Sequence, residues 1–370
     1  MHICIIAPEQ FPLPGDGSVE ICINAIARVL AERHQVTLIS RKAPGLPGAA
    51  EEGKLRFVRL AADSPAIYQS SVLNYVQGQS FDLVQVDNRP QLMAAVQARL
   101  FSVPVVLFLH SLTFVPPSEA TARALARADW IIVNSRSLQH RIARRFPGLG
   151  SGKLRVVPLG ADLTRFTPAD PQEMLRLRSS YRLPGSFTVL FVGRVIPRKG
   201  VPLLIRAMQQ LNRRLPAHLV VAGRVKPPYL RRLKRLARKQ RVSVSFLGSI
   251  GHEEIHRLYQ AADCFVCPSQ RHEAFGLVNV EAMACGLPVI ASSNGGIREI
   301  ISSGHNGYLI EHYREPQPFA RRLLALARNP QLAARIGAQG RKDVLEAFDW
   351  RHTAAALEAI YNSAVVHVHG

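Results

Sequence analysis

The sequence predicts an α/β protein made of two successive doubly wound domains, each with a mostly parallel sheet. Three observations point there. At 370 residues the chain exceeds the size at which a single hydrophobic core divides. Short apolar, β-branched runs alternate with amphipathic helical stretches, which is the signature of βαβ units covered on both faces. The alternation also comes as two series, separated by the polar segment DLTRFTPADPQEMLRLRSSYRLPGS (162–186), which reads as an interdomain connection.

In the first series HICIIA, QVTLIS, KLRFVRL, FDLVQV, VPVVLFL, WIIVNS and LRVVPLG are strand-like, with period-two or continuous apolar character. SVEICINAIARVLAER, QLMAAVQARL and SEATARALARA carry the helical period between them. The second series has FTVLFVG, AHLVVAG, VSVSFLG, CFVCPS, LPVIAS and NGYLI as strands, and VPLLIRAMQQLNRRL, PYLRRLKRLARKQ and EEIHRLYQAA as helices. A last helix starts near Trp350.

A composition of 47% hydrophobic and 20% charged residues excludes a disordered chain. The opening MHICIIAPEQF is too short in its apolar run for a signal peptide or a span, and no later run approaches the ~18 apolar residues of a spanning helix. The expectation is therefore a cytoplasmic protein. Cys4, Cys22, Cys264, Cys267 and Cys285 are scattered through core elements, which argues against a disulfide framework. Cys264 and Cys267 form C-x-x-C on a strand, where residues three apart point to opposite faces, so neither a metal nor a redox centre is expected there.

The formal net charge is +21, and it is unevenly placed. Residues 1–110 hold nine Lys/Arg and nine Asp/Glu, so the surplus lies wholly beyond them; between Arg198 and Arg241 there is no acidic residue. Such a surface attracts polyanions: nucleotide phosphates, anionic lipid headgroups, acidic wall polymers or nucleic acid. The absence of aromatic platforms or a recognised module speaks against nucleic acid. The helix YLRRLKRLARKQR admits two readings, a membrane-surface element or a helix packed on the second sheet through Leu230, Leu233, Leu236 and Ala237.

Ligands of doubly wound folds bind beyond the carboxyl ends of strands, at helix N-termini. Four stretches sit there. PLPGDGS follows the first strand, and Gly15 and Gly17 would let backbone amides approach a phosphate, or simply make a flexible turn. His110 ends the VVLFL strand. In FVGRVIPRKG, Arg194 and Lys199 stand beside the start of the next helix and suit a diphosphate.

The fourth stretch is RHEAFGLVNVEAMACG, where Glu273 and Glu281 have seven residues between them in an apolar run. The spacing predicts a helix from Gly276 or Leu277 to about Cys285, stopped by Gly286, with Glu273 in the loop before it and Glu281 in its second turn. A buried carboxylate must pair with a base or accept hydrogen bonds from a ligand, and the two hydroxyls of a ribose would satisfy Glu281. The helix start, with the amides of Phe275, Gly276 and Leu277, would hold phosphates or a sugar hydroxyl.

These pieces together resemble the family 4 glycosyltransferases, retaining enzymes of the GT-B fold in which two Rossmann-like domains face a cleft. The resemblance rests on HEAFGLVNVEAMACGLPVIAS with its E-x7-E motif, NGGIREII, NGYLI, VGRVIPRKG and SVEICINAIARVLAERHQVTLIS, in that family's order and spacing. FDLVQVDNRP and FLHSLTF look most like the bacterial spore-coat-associated members. The resemblance implies an acceptor-side domain over residues 1–165, a nucleotide-sugar domain over 183–349 and a final helix, 350–370, crossing back to the first.

It further implies that Arg194 and Lys199 neutralise the departing diphosphate, Glu281 holds the ribose, and Glu273 approaches the donor sugar with the backbone of Ala274, Phe275, Gly276 and Leu277 beside it. His110 would contact the donor sugar at the reaction centre, and Gly15 and Gly17 would cover the phosphates. The front loop departs from the family in reading GDGSVE, and Ile297 stands where a proline is common. The donor would be a UDP- or GDP-linked sugar, with no cofactor. Without a D-x-D triplet, charge neutralisation by Arg194 and Lys199 in place of a metal is expected. The competing readings are a non-catalytic spore-coat or polyanion-binding scaffold, with peripheral attachment to an anionic membrane or wall polymer, and an epimerase of nucleotide sugars.

Overall fold

The computed structural model describes residues 1–370 except 11, 14, 16 and 370. The chain divides into two compact units, residues 1–159 with 350–370, and residues 160–349. Each is a parallel α/β layer structure.

The first unit holds β1 (His2–Ile6), β2 (Gln35–Arg41), β3 (Ala49–Glu52), β4 (Leu55–Leu60), β5 (Leu83–Asp87), β6 (Val105–Leu109), β7 (Ile131–Val133) and β8 (Leu154–Val156). They form one sheet in the order β3-β4-β2-β1-β5-β6-β7-β8, parallel except for the β3–β4 hairpin. Its helices are α1 (Ser18–Ala31), α2 (Pro65–Gln77), α3 (Pro90–Gln97), α4 (Glu119–Arg127) and α5 (Arg136–Arg145). Strands β5, β6 and β7 are buried at every position, as a sheet covered on both faces demands. The chain reverses direction across the sheet between β1 and β5, where a doubly wound fold opens its crevice.

The second unit opens with α6 (Pro171–Ser180), inside the segment that the sequence presents as a connection. That segment is built into the unit: Arg178 pairs with Asp263 at 2.7 Å, and Gln260 donates to the Thr167 carbonyl at 2.8 Å. Low hydrophobicity hid it, because α6 buries only Leu177. Strands β9 (Phe187–Val192), β10 (Ala217–Ala222), β11 (Val244–Gly248), β12 (Cys264–Cys267), β13 (Val289–Ser292) and β14 (Tyr308–Ile310) lie in the order β11-β10-β9-β12-β13-β14, all parallel. Between them run α7 (Val201–Asn212), α8 (Pro227–Lys239), α9 (Ile255–Gln260) and α10 (Leu277–Ala284), and α11 (Pro316–Arg328) and α12 (Pro330–Ala347) follow the last strand. The switch point falls between β9 and β12.

In α8 the residues Leu233 and Ala237 are buried and Leu236 is packed against the core, so its apolar stripe is spent on the sheet. All five cysteines are buried, and none is in a disulfide among the described residues. Among the described residues no helix is long and apolar enough to cross a membrane.

The last helix, α13 (Trp350–His369), belongs to the first unit. Glu358 accepts from Arg33 at 2.6 Å and pairs with His34 at 3.0 Å, just past the end of α1, and Thr353 donates to the Pro158 carbonyl at 2.9 Å.

Two loops at the β9–β12 switch point approach too closely for side chains. Gly200, in the left-handed region at φ 81°, lies against the Pro268 carbonyl, where any Cβ would collide, and Gln270 N–H donates to the Arg198 carbonyl at 2.7 Å. Gly200→Ala is therefore expected to lower stability by at least the ~1–3 kcal/mol of the backbone strain, read as a fall in the denaturation midpoint. An unchanged midpoint would show that the two loops can separate freely.

Candidate active site

The switch point of the second unit gathers the charged residues singled out in the sequence. β9 runs into Gly193, the exposed Arg194 follows, and a short turn brings Lys199 to the start of α7. β12 runs into the loop that carries Ser269 and Glu273, and then into α10.

Lys199 Nζ lies 2.6 Å from Glu273 Oε2, and the same oxygen accepts from the Ser269 hydroxyl at 3.0 Å. Burial pushes the Glu273 carboxyl up, but the Lys199 ammonium and these hydrogen bonds outweigh it and hold it below its ordinary value. Lys199 and Glu273 thus form one ion pair, where the sequence had assigned them separate tasks.

The loop itself is fixed from the far side by the Asn294-Gly295-Gly296 motif. Asn294 Oδ1 accepts from the Glu273 amide at 3.0 Å, and its Nδ2 donates to the carbonyls of Ser269 and Arg271 at 2.9 Å each. Gly296 N–H donates to the Glu273 carbonyl at 2.9 Å. Cβ atoms at Gly295 and Gly296 would run into the carbonyls of Glu273 and Ala274, so both glycines are steric requirements.

Helix α10 spans Leu277–Ala284 with Gly276 as its N-cap, at φ 106°, and Gly286 just beyond its end at φ 75°. Among the described residues none accepts from the backbone N–H of Phe275, Gly276 or Leu277. These amides and the helix dipole make an anion-binding end beside Lys199.

Glu281 is 4% exposed and is not waiting for a ligand to satisfy it. Its Oε1 is 2.9 Å from His252 Nε2, and its Oε2 accepts from the Tyr259 hydroxyl at 2.9 Å. Of the two ways to satisfy this carboxylate that the sequence left open, side chains of the protein itself supply the donors seen here. Arg165 Nη2 lies 3.3 Å from His252 Nδ1, so His252 presents its Nε2 proton to Glu281. Burial, and then the negative Glu281, push the Tyr259 phenol well up, which keeps it a donor. Each oxygen of Glu281 retains one lone pair for a further hydroxyl. Tyr259, His252 and Arg165 carry no motif in the sequence; the only signal was that a carboxylate in an apolar helix needs partners.

In the first unit His110 follows β6 directly. Its Nε2 is 2.7 Å from Asp87 Oδ1, its backbone N–H donates to Asn88 Oδ1 at 2.8 Å, and its ring stacks on Phe108 at 4.3 Å. At the β1–β5 switch point Glu9 and Arg89 form a bidentate pair, 2.6 and 2.8 Å, with Arg89 lying 3.6 Å over the Phe114 ring. The sequence reading overlooked this pair.

Gly17 is the N-cap of α1, with the Glu20 carboxylate folded against it. The carboxylate therefore occupies the end of α1 where Gly15 and Gly17 were expected to admit a phosphate. Pro14 and Asp16 of that loop lie outside the described residues.

Two consequences can be measured. Tyr259→Phe leaves Glu281 one donor short, and should cost about 1–3 kcal/mol in denaturant titration. Because the folded-state pKa of Glu273 is depressed, its stabilisation is present above the ordinary value of 4.5 and is lost as pH falls through the lower folded value. Lys199→Met should flatten the acid limb of the melting-temperature profile, between about pH 6 and 3. An unaltered limb would show that the ion pair contributes nothing.

Comparison with known proteins places this geometry in a family. The model described as "Glycosyltransferase Family 4" matches residues 19–165, and that of "Glycosyl transferases group 1" matches 176–343. The chain is 31% identical to spore coat protein SA of Bacillus subtilis, over 98% of this chain and 99% of that one. It is 33% identical to the GDP-mannose-dependent alpha-(1-6)-phosphatidylinositol monomannoside mannosyltransferase of Mycolicibacterium smegmatis, over 66% of this chain and 65% of that protein. The solved sucrose-phosphate synthase of Thermosynechococcus elongatus superposes with a TM-score of 0.85 at 25% identity, covering 99% of this chain and all of that one. The chain belongs to the family 4 glycosyltransferases of GT-B fold, and within them to the spore-coat-associated type.

Proposed function

We propose that this glycosyltransferase moves a sugar from a UDP- or GDP-linked donor to an acceptor with retention of configuration and without a metal ion. The observation that carries the donor assignment is the meeting of Lys199, the open amides of Phe275 to Leu277 and the partly satisfied Glu281 around one helix N-terminus at the β9–β12 switch point. The donor in the mycolicibacterial relative's name, GDP-mannose, is of the class this site suits.

In this reading the diphosphate lies at the start of α10. Arg194 and Lys199 meet its charge, and Lys199 can do so while keeping Glu273, since an ammonium has three donors. The backbone of Ala274 to Leu277 adds dipoles, and the free lone pairs of Glu281 take ribose hydroxyls. Glu273, rigid between Asn294 and Gly296, accepts hydroxyls of the donor sugar.

As the bond from the anomeric carbon to the diphosphate oxygen breaks, its electron pair leaves with the phosphate. Fixed cations and amides stabilise that growing charge more than they stabilise the ground state. The acceptor oxygen then bonds to the anomeric carbon on the face that the diphosphate vacates, and its proton passes to a phosphate oxygen.

A thermal-shift screen of nucleotides and nucleotide sugars tests the donor site. UDP or GDP at ~100 times its dissociation constant should add about 2.7 kcal/mol of stability, and Glu281→Ala and Lys199→Ala should each weaken binding by about tenfold or more. A folded chain indifferent to every nucleotide would favour the scaffold reading instead. Donor turnover that collapses with a chelator would contradict metal independence.

The outer face of α8 is proposed to attach the protein to an anionic surface. Arg231, Arg232, Lys234, Arg235, Arg238 and Lys239 are exposed on it, and none of them is in a salt bridge among the described residues. Since the apolar stripe is buried, attraction without insertion is expected, at about 1 kcal/mol per cation near the surface. Sedimentation with phosphatidylglycerol vesicles should fall steeply with salt and on replacing Arg231, Lys234, Arg235 and Arg238 by Gln. Equal binding to neutral vesicles would refute it.

A further inference from the structure

Both oxygens of Glu281 are tied to side chains that are themselves held in place. The last torsion of a glutamate, about Cγ–Cδ, has a broad and nearly two-fold energy profile, so an untethered carboxylate turns easily. Here Oε1 is bound to His252 Nε2 and Oε2 to the Tyr259 hydroxyl, each at 2.9 Å. Turning the group breaks both bonds, and with Glu281 only 4% exposed little water is at hand to replace them.

The two anchors come from α9 and from the loop just before it, and one aromatic ring braces both. Phe166, fully buried, has its ring centre 5.5 Å from that of His252 and 5.9 Å from that of Tyr259. Tyr259 is fully buried too and rests on Phe265 at 5.5 Å. On its other nitrogen His252 meets Arg165 Nη2 at 3.3 Å, and Arg165 is paired with Asp162 and Glu253.

A carboxylate accepts at four in-plane positions, two on each oxygen. Anchoring fills one on each and leaves one on each, in a plane that is kept from turning. Two acceptors joined through one carbon and fixed in direction fit two hydroxyls on neighbouring carbons. They do not fit a phosphate or a carbonyl, which bring no proton, and a ligand with a single hydroxyl leaves one position empty. A carboxylate free to turn would be less exacting, since it could follow whichever hydroxyl is present.

We propose that His252 and Tyr259 are positioning residues that hold the Glu281 carboxylate in the plane needed to read both hydroxyls of a vicinal diol at once, and so make the donor site selective for ribonucleotides over deoxyribonucleotides. The ligand class rests on the donor reading above, in which the free lone pairs of Glu281 take ribose hydroxyls.

The test is calorimetric titration of the full chain with UDP, GDP, their 2′-deoxy and 3′-deoxy forms, and inorganic diphosphate as a probe of charge alone. The wild type should bind each deoxy form about tenfold or more weakly than its parent, because the lost hydroxyl leaves a buried acceptor empty. His252→Leu and Tyr259→Phe should each cut that ratio to about threefold or less, with the affinity for inorganic diphosphate unchanged and a native near-ultraviolet circular dichroism spectrum. His252→Gln, which keeps an N–H donor, should keep the ratio.

A merely structural role would weaken every ligand in parallel and leave the ratio where it was. That outcome overturns the proposal, as does a wild type that binds parent and deoxy forms equally, and both leave the donor site standing. Should Tyr259→Phe fail to fold, His252→Leu and His252→Gln decide it alone. A wild type that binds no nucleotide overturns the donor reading and this proposal with it.

Discussion

The second unit's site depends on a carboxylate kept ionised where water is scarce. Glu273 can stay charged only because Lys199 and Ser269 reach it, and those two residues lie on different loops. Its main chain is bound in turn by Asn294 and Gly296, from a third loop. One ion pair and two backbone hydrogen bonds therefore tie together the segments that follow β9, β12 and β13. The glycines at 200, 295 and 296 are what let these segments approach closely enough for the pairing to form. The result is a set of charges and dipoles placed before any ligand arrives, the condition under which electrostatic catalysis is strongest.

Both units solve the problem of a buried acid in the same way, with different leftovers. Glu281 is met by an imidazole and a phenol, and Asp87 by an amide and an imidazole. In the second unit the unused capacity stays on the carboxylate itself. In the first both oxygens of the acid are met from within the unit, one by Gln85 and one by His110. Neither acid could be replaced by an apolar residue without stranding the donors around it.

Sequence patterning conveyed the architecture well because both sheets are covered on two faces, and continuous apolar runs such as VVLFL and FTVLFV have few other uses. The helix from Leu277 to Ala284 and its bounding glycines were legible because left-handed backbone at Gly276 and Gly286 needs residues of that kind. Helices α2 and α5 escaped notice: the first has little amphipathic contrast and the second buries only Leu138 and Ile142. The partners of the two key acids were illegible for another reason. Tyr259 is 22 residues from Glu281, and His110 is 23 from Asp87, so only the folded topology joins them. The need for a partner could be read from the sequence; its identity could not.

Helix α13 has a bearing on how the protein is made. The first unit is finished by residues that leave the ribosome only after the whole of 160–349 has been synthesised, on the order of ten seconds or more at ~5–20 residues per second. Until then the α13 side of α1 and the amide of Gln85 lack their cover, and the nascent amino-terminal sheet must wait, incompletely shielded, while the second unit is able to fold. A chain cut immediately before Trp350 would consequently keep every residue of the second unit and lack the helix that finishes the first.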